Sequence, residues 1–234
     1  MVKMSNSVIV YWSVDSDQWM RAKEPQSVYN DFLLKNYENK ELYKCPAFKD
    51  YMKNMYGIKS MYSYDFSING NDISTTKYGE HFFHKHVVVR SIKDRNFSFD
   101  QKSIFFTEEK SLKLSVGIQP FFEQNEVSKR CMNIPGTLDI GKWFRNIDYA
   151  FYLRNEYNDF VIKEDDIYQY IQFYTDKKII FKQFYFTEYL RQQHNSVGNA
   201  RAFRPEKFRK LEEYYSIFKN KDRIIKEIKN NLVL

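Results

Sequence analysis

Two periods of apolar residues run along this chain, and the switch between them divides it. Val8-Ile9-Val10-Tyr11-Trp12 is a short continuous apolar run and predicts a buried first strand over residues 7–13. Residues 25–36 carry Val28, Phe32 and Leu33 on one helical face behind Pro25, a residue suited to the first helical position. They predict a helix. A second short helix is predicted from Pro46, with Phe48, Met52 and Met55 at helical spacing. From about residue 61 the period becomes two. Tyr62 through Ile68 alternates, Asn69-Gly70 tolerates the positive φ angles of a tight turn, and Ile73 through Thr76 returns as the second arm of a hairpin. Further strands are predicted over 82–90, 103–107, 112–118, 147–153, 168–174 and 178–186. After residue 186 the helical period resumes, with Thr187 as an N-cap and Gly198 as a stop. Residues 205–231 read as one long helix opened by Pro205, with Phe208, Leu211, Tyr215, Phe218, Ile225, Ile228 and Leu232 along one stripe that Asp222 interrupts.

This pattern predicts a mainly β fold of the α+β class. A distorted β-barrel or sandwich body spans 60–186, preceded by a strand and short helices over 1–60 and followed by a helical segment over 187–234. No repeat, low-complexity tract or Pro/Gly/Ser linker interrupts it, so residues 1–234 are expected to form one domain. At 234 residues the chain buries enough surface to fold without metal or disulfide. Its two cysteines, Cys45 and Cys131, are too few for a disulfide framework and predict a reducing compartment. No run reaches the ~18–20 apolar residues of a membrane helix, so no membrane partner is expected.

Composition changes the picture in two ways. The chain holds 19 Tyr and 21 Phe. If one core cannot contain them, some lie on a surface that binds another protein or a second copy, so self-association or a protein partner is expected. The net charge of +7 is compatible with nucleic acid or another polyanion. The basic residues concentrate at Arg201, Arg204, Lys207 and Arg209, with Phe203 and Phe208 among them. Charge and stacking make that a candidate polyanion surface. The competing reading is a solvated helix face, because Glu206, Glu212 and Glu213 dilute the charge.

Several chemistries are excluded by absent motifs. There is no phosphate-binding Gly-x-x-x-x-Gly-Lys, no dinucleotide Gly-x-Gly-x-x-Gly and no Gly-x-Ser-x-Gly elbow. His84 and His86 share one strand face, as a metal-ligating pair would, with His194 as a third ligand. A divalent metal is the one cofactor this pattern offers, and none is otherwise expected. Val87-Val88-Val89-Arg90 supplies no acid to complete a cupin-type set, and the alternative is a pair of hydrogen-bonded histidines on an exposed strand. Cys45 precedes a helix start, where a thiolate is favoured; the alternative is a buried structural cysteine. Ile134 through Arg145 is the densest cluster of turn residues. Asp139 and Arg145 hold each other or a ligand on one reading, Asp139 being the catalytic candidate. On the other reading Gly136 and Gly141 give backbone freedom, Asp139 caps backbone N–H groups, and the segment is a corner between strands.

Two resemblances follow from these residues. Cys45-Pro46-Ala47-Phe48, the Tyr-rich hairpin over 62–76, Gln124 through Val127, Pro135 through Arg145 and Tyr168 through Phe186 resemble an uncharacterised protein family of T4-like tailed phages, notably those of marine bacteria. The resemblance covers most of the chain and implies a context, the cytoplasm of an infected cell or the virion, without a mechanism. Pro135 through Gly141 and Glu164 through Phe173 are similar, in part, to the dUTPase and dCTP-deaminase superfamily. That similarity implies a distorted β-barrel, a nucleotide ligand and Asp139 as an acid near substrate. The superfamily's Arg-Ser-Ser phosphate segment, deamination glutamate and Gly-rich arm have no counterpart here. The expected function is that of a non-catalytic phage protein, structural or binding. One alternative is a divergent nucleotide-binding enzyme using Asp139. A second is a strand-borne metal enzyme using His84 and His86.

Overall fold

Strand pairing ties the start of the chain to its later half. β1 (Ser7–Val14) runs parallel to β14 (Lys178–Gln183) on one side and antiparallel to β7 (Asn96–Thr107) on the other. These contacts come from a computed structural model, which describes residues 6–16, 19–30, 44–75, 85–120, 125–202, 210–217 and 219–233. The opposite edge of β7 pairs with β11 (Ile147–Leu153), which pairs in turn with β9 (Cys131–Asn133). β6 (Val87–Ser91) pairs with β7 beyond the reach of β1, completing a six-stranded sheet. A five-stranded sheet has the order β10 (Gly136–Asp139), β8 (Lys113–Ile118), β13 (Ile167–Phe173), β3 (Met55–Lys59), β2 (Gln26–Ser27). β4 (Tyr64–Asn69), β5 (Asp72–Ser74) and β12 (Asp159–Ile162) form a third, three-stranded sheet. The protein is therefore mainly β with α elements, as the sequence pattern predicts, and the described strands close no barrel.

The sheets face one another across aromatic side chains. Phe105 and Phe181 of the large sheet meet Phe173 and Tyr56 of the five-stranded sheet, while Phe97 and Phe99 meet Phe66 and Tyr64 of the small one. The rings meet edge-on or offset, as aromatic quadrupoles prefer. The period-two alternation places Val10, Trp12 and Phe105 in this main core, and Tyr11, Ile104 and Phe106 on the other face of the same strands. That second face is covered by the C-terminal helices. α3 (Glu188–Ala202) contributes Leu190, and α5 (Lys221–Asn230) contributes Ile224, Ile225 and Ile228. Phe144, Phe184 and Phe186 fill the gap between them. α1 (Pro46–Met52) covers the outer face of the five-stranded sheet, where Phe48 and Met52 pack with Met55 and Tyr170. α2 (Glu126–Arg130) is capped by Asn125, whose Oδ1 accepts from the Ser128 N–H at 2.8 Å.

The structure corrects several expectations. The β body does not begin near residue 60, since β1 and β3 are internal strands of the two larger sheets. Met55 belongs to β3 and ends the helical stripe read through it. Residues 26–27 are strand and 28–30 helical; the rest of the helix predicted over 25–36 lies outside the described residues. β6 starts at Val87, after two helical residues. α3 continues through Gly198, and the described residues of the long helix predicted over 205–231 form two helices, α4 (Leu211–Ile217) and α5, with Asp222 in the first turn of α5; residues 205–209 and 218 lie outside the described residues. Thr187 caps α3 as expected, its Oγ1 accepting from the Leu190 N–H at 3.3 Å. The aromatic residues are largely absorbed by the cores. Among the described residues the exposed aromatic rings are those of Tyr51, Tyr174 and Tyr185, so the aromatic-surface argument for self-association loses its premise there.

Candidate functional site

The segment from Ile134 to Asp148 carries the chain out of β9, across to the five-stranded sheet as β10, and back to the large sheet as β11. Its first half is built as a fixed corner. Asp139 ends β10 and is 7 % exposed. Its Oδ1 accepts from the backbone N–H groups of Leu112 at 3.1 Å and Gly141 at 3.0 Å. Its Oδ2 accepts from Ser111 Oγ at 2.6 Å and lies 3.3 Å from Lys142 Nζ. Burial pushes the carboxyl up, and the Ser111, Leu112, Gly141 and Lys142 donors together outweigh it and hold it below the usual carboxylate range. The Asp139 N–H donates to Tyr215 Oη at 2.8 Å, tying the corner to α4. Gly141 is required by close approach: a Cβ there would lie 2.5 Å from the Glu109 carbonyl oxygen. Lys221, at the start of α5, donates to that same carbonyl at 2.5 Å and to the Gly141 carbonyl at 2.9 Å. Ile140 enters the main core and Phe144 the second core, both fully buried.

The residues between and after these anchors face elsewhere. Trp143, Arg145, Asn146 and Asp148 line an open cleft of about 380 Å³ whose other lining residues come from β8, β10 with the link before it, β11 and α4. Val116, Ile134, Pro135, Leu138, Ile147 and Ala150 give it apolar walls, and Leu211 and Tyr214 of α4 close one side. Gly117 lets the crossover lie against β8, because a Cβ there would stand 2.4 Å from the Ile134 carbonyl oxygen, and its φ is 73°. The Arg145 guanidinium stands over the Trp143 ring, 5.9 Å from its centroid. Tyr214 and Tyr215 meet the same indole edge-on, at 6.4 and 5.8 Å. Asp148 pairs with Arg90 at 3.1 Å and accepts from Asn146 Nδ2 at 3.3 Å. The Trp143 indole N–H is buried with no hydrogen-bond partner among the described residues, and Trp143 is 8 % exposed.

The two residues proposed together from the sequence thus separate. Asp139 is spent on the backbone of the corner and is not among the cleft's lining residues, whereas Arg145 is. His84 lies outside the described residues; His86 rests against the Tyr62 ring at 4.8 Å. His194 sits on α3, with Nε2 3.1 Å from Asn146 Oδ1 and Nδ1 3.2 Å from Asn195 Oδ1. The described residues contain no group of three or more His, Cys, Asp or Glu placed to hold a metal ion. Arg204, Lys207 and Arg209 lie outside the described residues, and Arg201 is placed on α3 by its backbone alone. Cys45 is exposed rather than buried. Cys131 is buried, which pushes its thiol up to about 12 against the opposing pull of Arg154 and Arg130. Sequence reasoning passed over Trp143, Asn146, Asp148 and Tyr214. The available signal was a Trp in a turn-rich stretch beside an Arg. Leu211 was legible only as part of a core stripe.

No protein-family model, curated protein or solved structure matches the chain.

Proposed function

We propose that this protein is a non-catalytic binding protein and that the cleft lined by β8, β10, β11 and α4 is its binding site. The observation that carries this reading is the division of the corner, with Asp139 committed to holding the backbone while the cleft beside it stays open. Its volume falls within the usual range of ligand sites, about 300–1,000 Å³, and its walls are mainly apolar with a few polar groups at the margin. The described lining residues include no Ser, Cys, His or Lys to act as nucleophile or general base, and the one carboxylate is already paired with Arg90. The phage resemblance supports placing this binding role in an infected cell or a virion. The nucleotide-enzyme reading has less support, because Asp139, the residue it needs, spends its oxygens on the corner.

The test is a fragment panel of aromatic acids, aromatic amines and neutral aromatics, screened by saturation-transfer NMR on the purified chain. Binding of at least one class is expected, and Leu211→Trp, which fills the cleft from α4, should abolish it. A set of hits untouched by Leu211→Trp would overturn the assignment of the site. Turnover of dUTP or dCTP that disappears in Asp139→Ala would overturn the non-catalytic reading.

A further inference from the structure

The hairpin of the small sheet ends in two residues with a chemistry of their own. β4 and β5 meet at the pair Asn69 and Asp72, so Gly70 and Asn71 make the turn. The φ of Gly70 is 63° and that of Asn71 is not positive, the pattern of a type II′ turn with Gly first. Residues 69–72 are all exposed. Among the described residues nothing accepts from the Gly70 N–H and nothing bonds the Asn69 side-chain amide. Beyond its chain neighbours, no heavy atom lies within 4 Å of where a Gly70 Cβ would stand, so the peptide is unshielded.

A backbone nitrogen that follows an Asn can attack the carbonyl carbon of that side chain. Gly presents the least hindered nitrogen, because no Cβ obstructs ring closure. The chain contains one Asn-Gly, Asn69-Gly70. Asn71 is equally exposed in the same turn, but Asp72 follows it, and the Asp72 side chain crowds the nitrogen and disfavours its anion. We propose that Asn69 is a site of spontaneous deamidation in the folded chain. Gly70 N loses its proton to hydroxide and attacks Asn69 Cγ. The Cγ–N bond closes a cyclic imide, the Cγ–Nδ2 bond breaks, and Nδ2 takes a proton from water and leaves as ammonia. A second water opens the imide at either carbonyl, which gives aspartate or isoaspartate with no change in oxidation state.

The fold decides how far this reaction disturbs the chain. Ring closure takes Asn69 out of its extended backbone, so the Asn69–Asp72 pair must open. That opening is local, since β5 has three residues and ends there. The next pair inward, Ile68 and Ile73, holds the hairpin shut, with Ile68 buried in the main core and Ile73 packed against it. Isoaspartate adds a methylene to the main chain and shifts the register of β5 on β4, while β12 stays paired with the other edge of β4.

The test incubates the folded chain, and the same chain unfolded in urea, in mildly alkaline buffer and maps the products by peptide mass spectrometry. Each event lowers the net charge of +7 by one, so ion exchange isolates the product. Asn69 is expected to convert in the folded chain, at least about tenfold faster than Asn71 and faster as hydroxide rises. Asn69→Ser, which lacks the carbonyl under attack, should lose the charge variant. In ¹⁵N–¹H spectra of the isoaspartyl product the amides of Asp72, Ile73 and Ser74 should shift, and that of Phe160 on β12 should stay. An Asn69 that converts in urea and not in the folded chain would overturn the proposal, as would faster conversion at Asn71 or no conversion in either state. Unmoved β5 amides in the isoaspartyl product would overturn the register shift.

Discussion

Asp139 and Trp143 belong to one short stretch of chain and meet opposite fates. Asp139 has four donors around its two carboxylate oxygens, two of them backbone amides. Trp143 has a buried N–H with no acceptor among the described residues. The neighbouring anchors explain how the chain manages both. Ile140 and Phe144 are pinned in two different cores, so the backbone between and after them has little choice of path. With that path fixed, the side chains that do not enter a core are free to face a cleft. Rigidity in one half of the corner is what allows an unsatisfied group to persist in the other, because the fold supplies the stability that the orphan donor takes away.

The comparison can be broken most forcefully at its anchor. Phe144→Ala removes a buried ring that packs against Phe106, Phe184 and Phe186. Loss of about 3–5 kcal/mol is expected, read as a fall in melting temperature of about 10 °C by calorimetry. Retention of wild-type stability would mean that the corner is not held from the second core.

A smaller effect separates charge from shape at Asp139. Its carboxyl is held below the ordinary range, near 3.9 for a free aspartate, so the unfolded chain takes up the proton first as pH falls. Its contribution is thus fully present above about pH 4 and is lost as pH falls through the lower folded value. Asp139→Asn should therefore be less stable than wild type at neutral pH, and the gap should narrow below about pH 4 in urea titrations run across pH. A gap independent of pH would show that the charge of Asp139 is not what the donors recognise.

The smallest expected effect lies on the cleft side. Arg145→Ala gives up a partly exposed stack over Trp143, worth less than about 1 kcal/mol. Its melting curve should nearly overlay wild type. A large loss of stability would place Arg145 with the structural half.

Much of the fold was legible because apolar period reports burial directly. The hairpin of β4 and β5, the strand β11 and the cap at Thr187 fall where alternation and capping residues put them. β10 and β12 were missed because each has only four residues, too few to establish a period. The single helix read over 205–231 failed for a different reason. The apolar stripes of α4 and α5 continue one another in number, so periodicity could not reveal the break before Lys221. At the site, the turn-rich corner stood out through its Pro and Gly residues, and the backbone-capping alternative for Asp139 matches its partners. The cleft itself was not legible. Asp148 on β11 and Tyr214 on α4 lie far apart in sequence and come to one cleft only through the tertiary fold.

The division of the corner is tested most directly by melting Asp139→Ala and Trp143→Phe side by side at neutral pH. Asp139→Ala leaves the buried amides of Leu112 and Gly141 without their acceptor and should lose about 2–3 kcal/mol, or about 6 °C. Trp143→Phe removes a donor that has no acceptor among the described residues and keeps most of the ring, so it should stay within about 1 kcal/mol of wild type. If Trp143→Phe falls as far as Asp139→Ala, the cleft wall is as structural as the corner and the account is wrong.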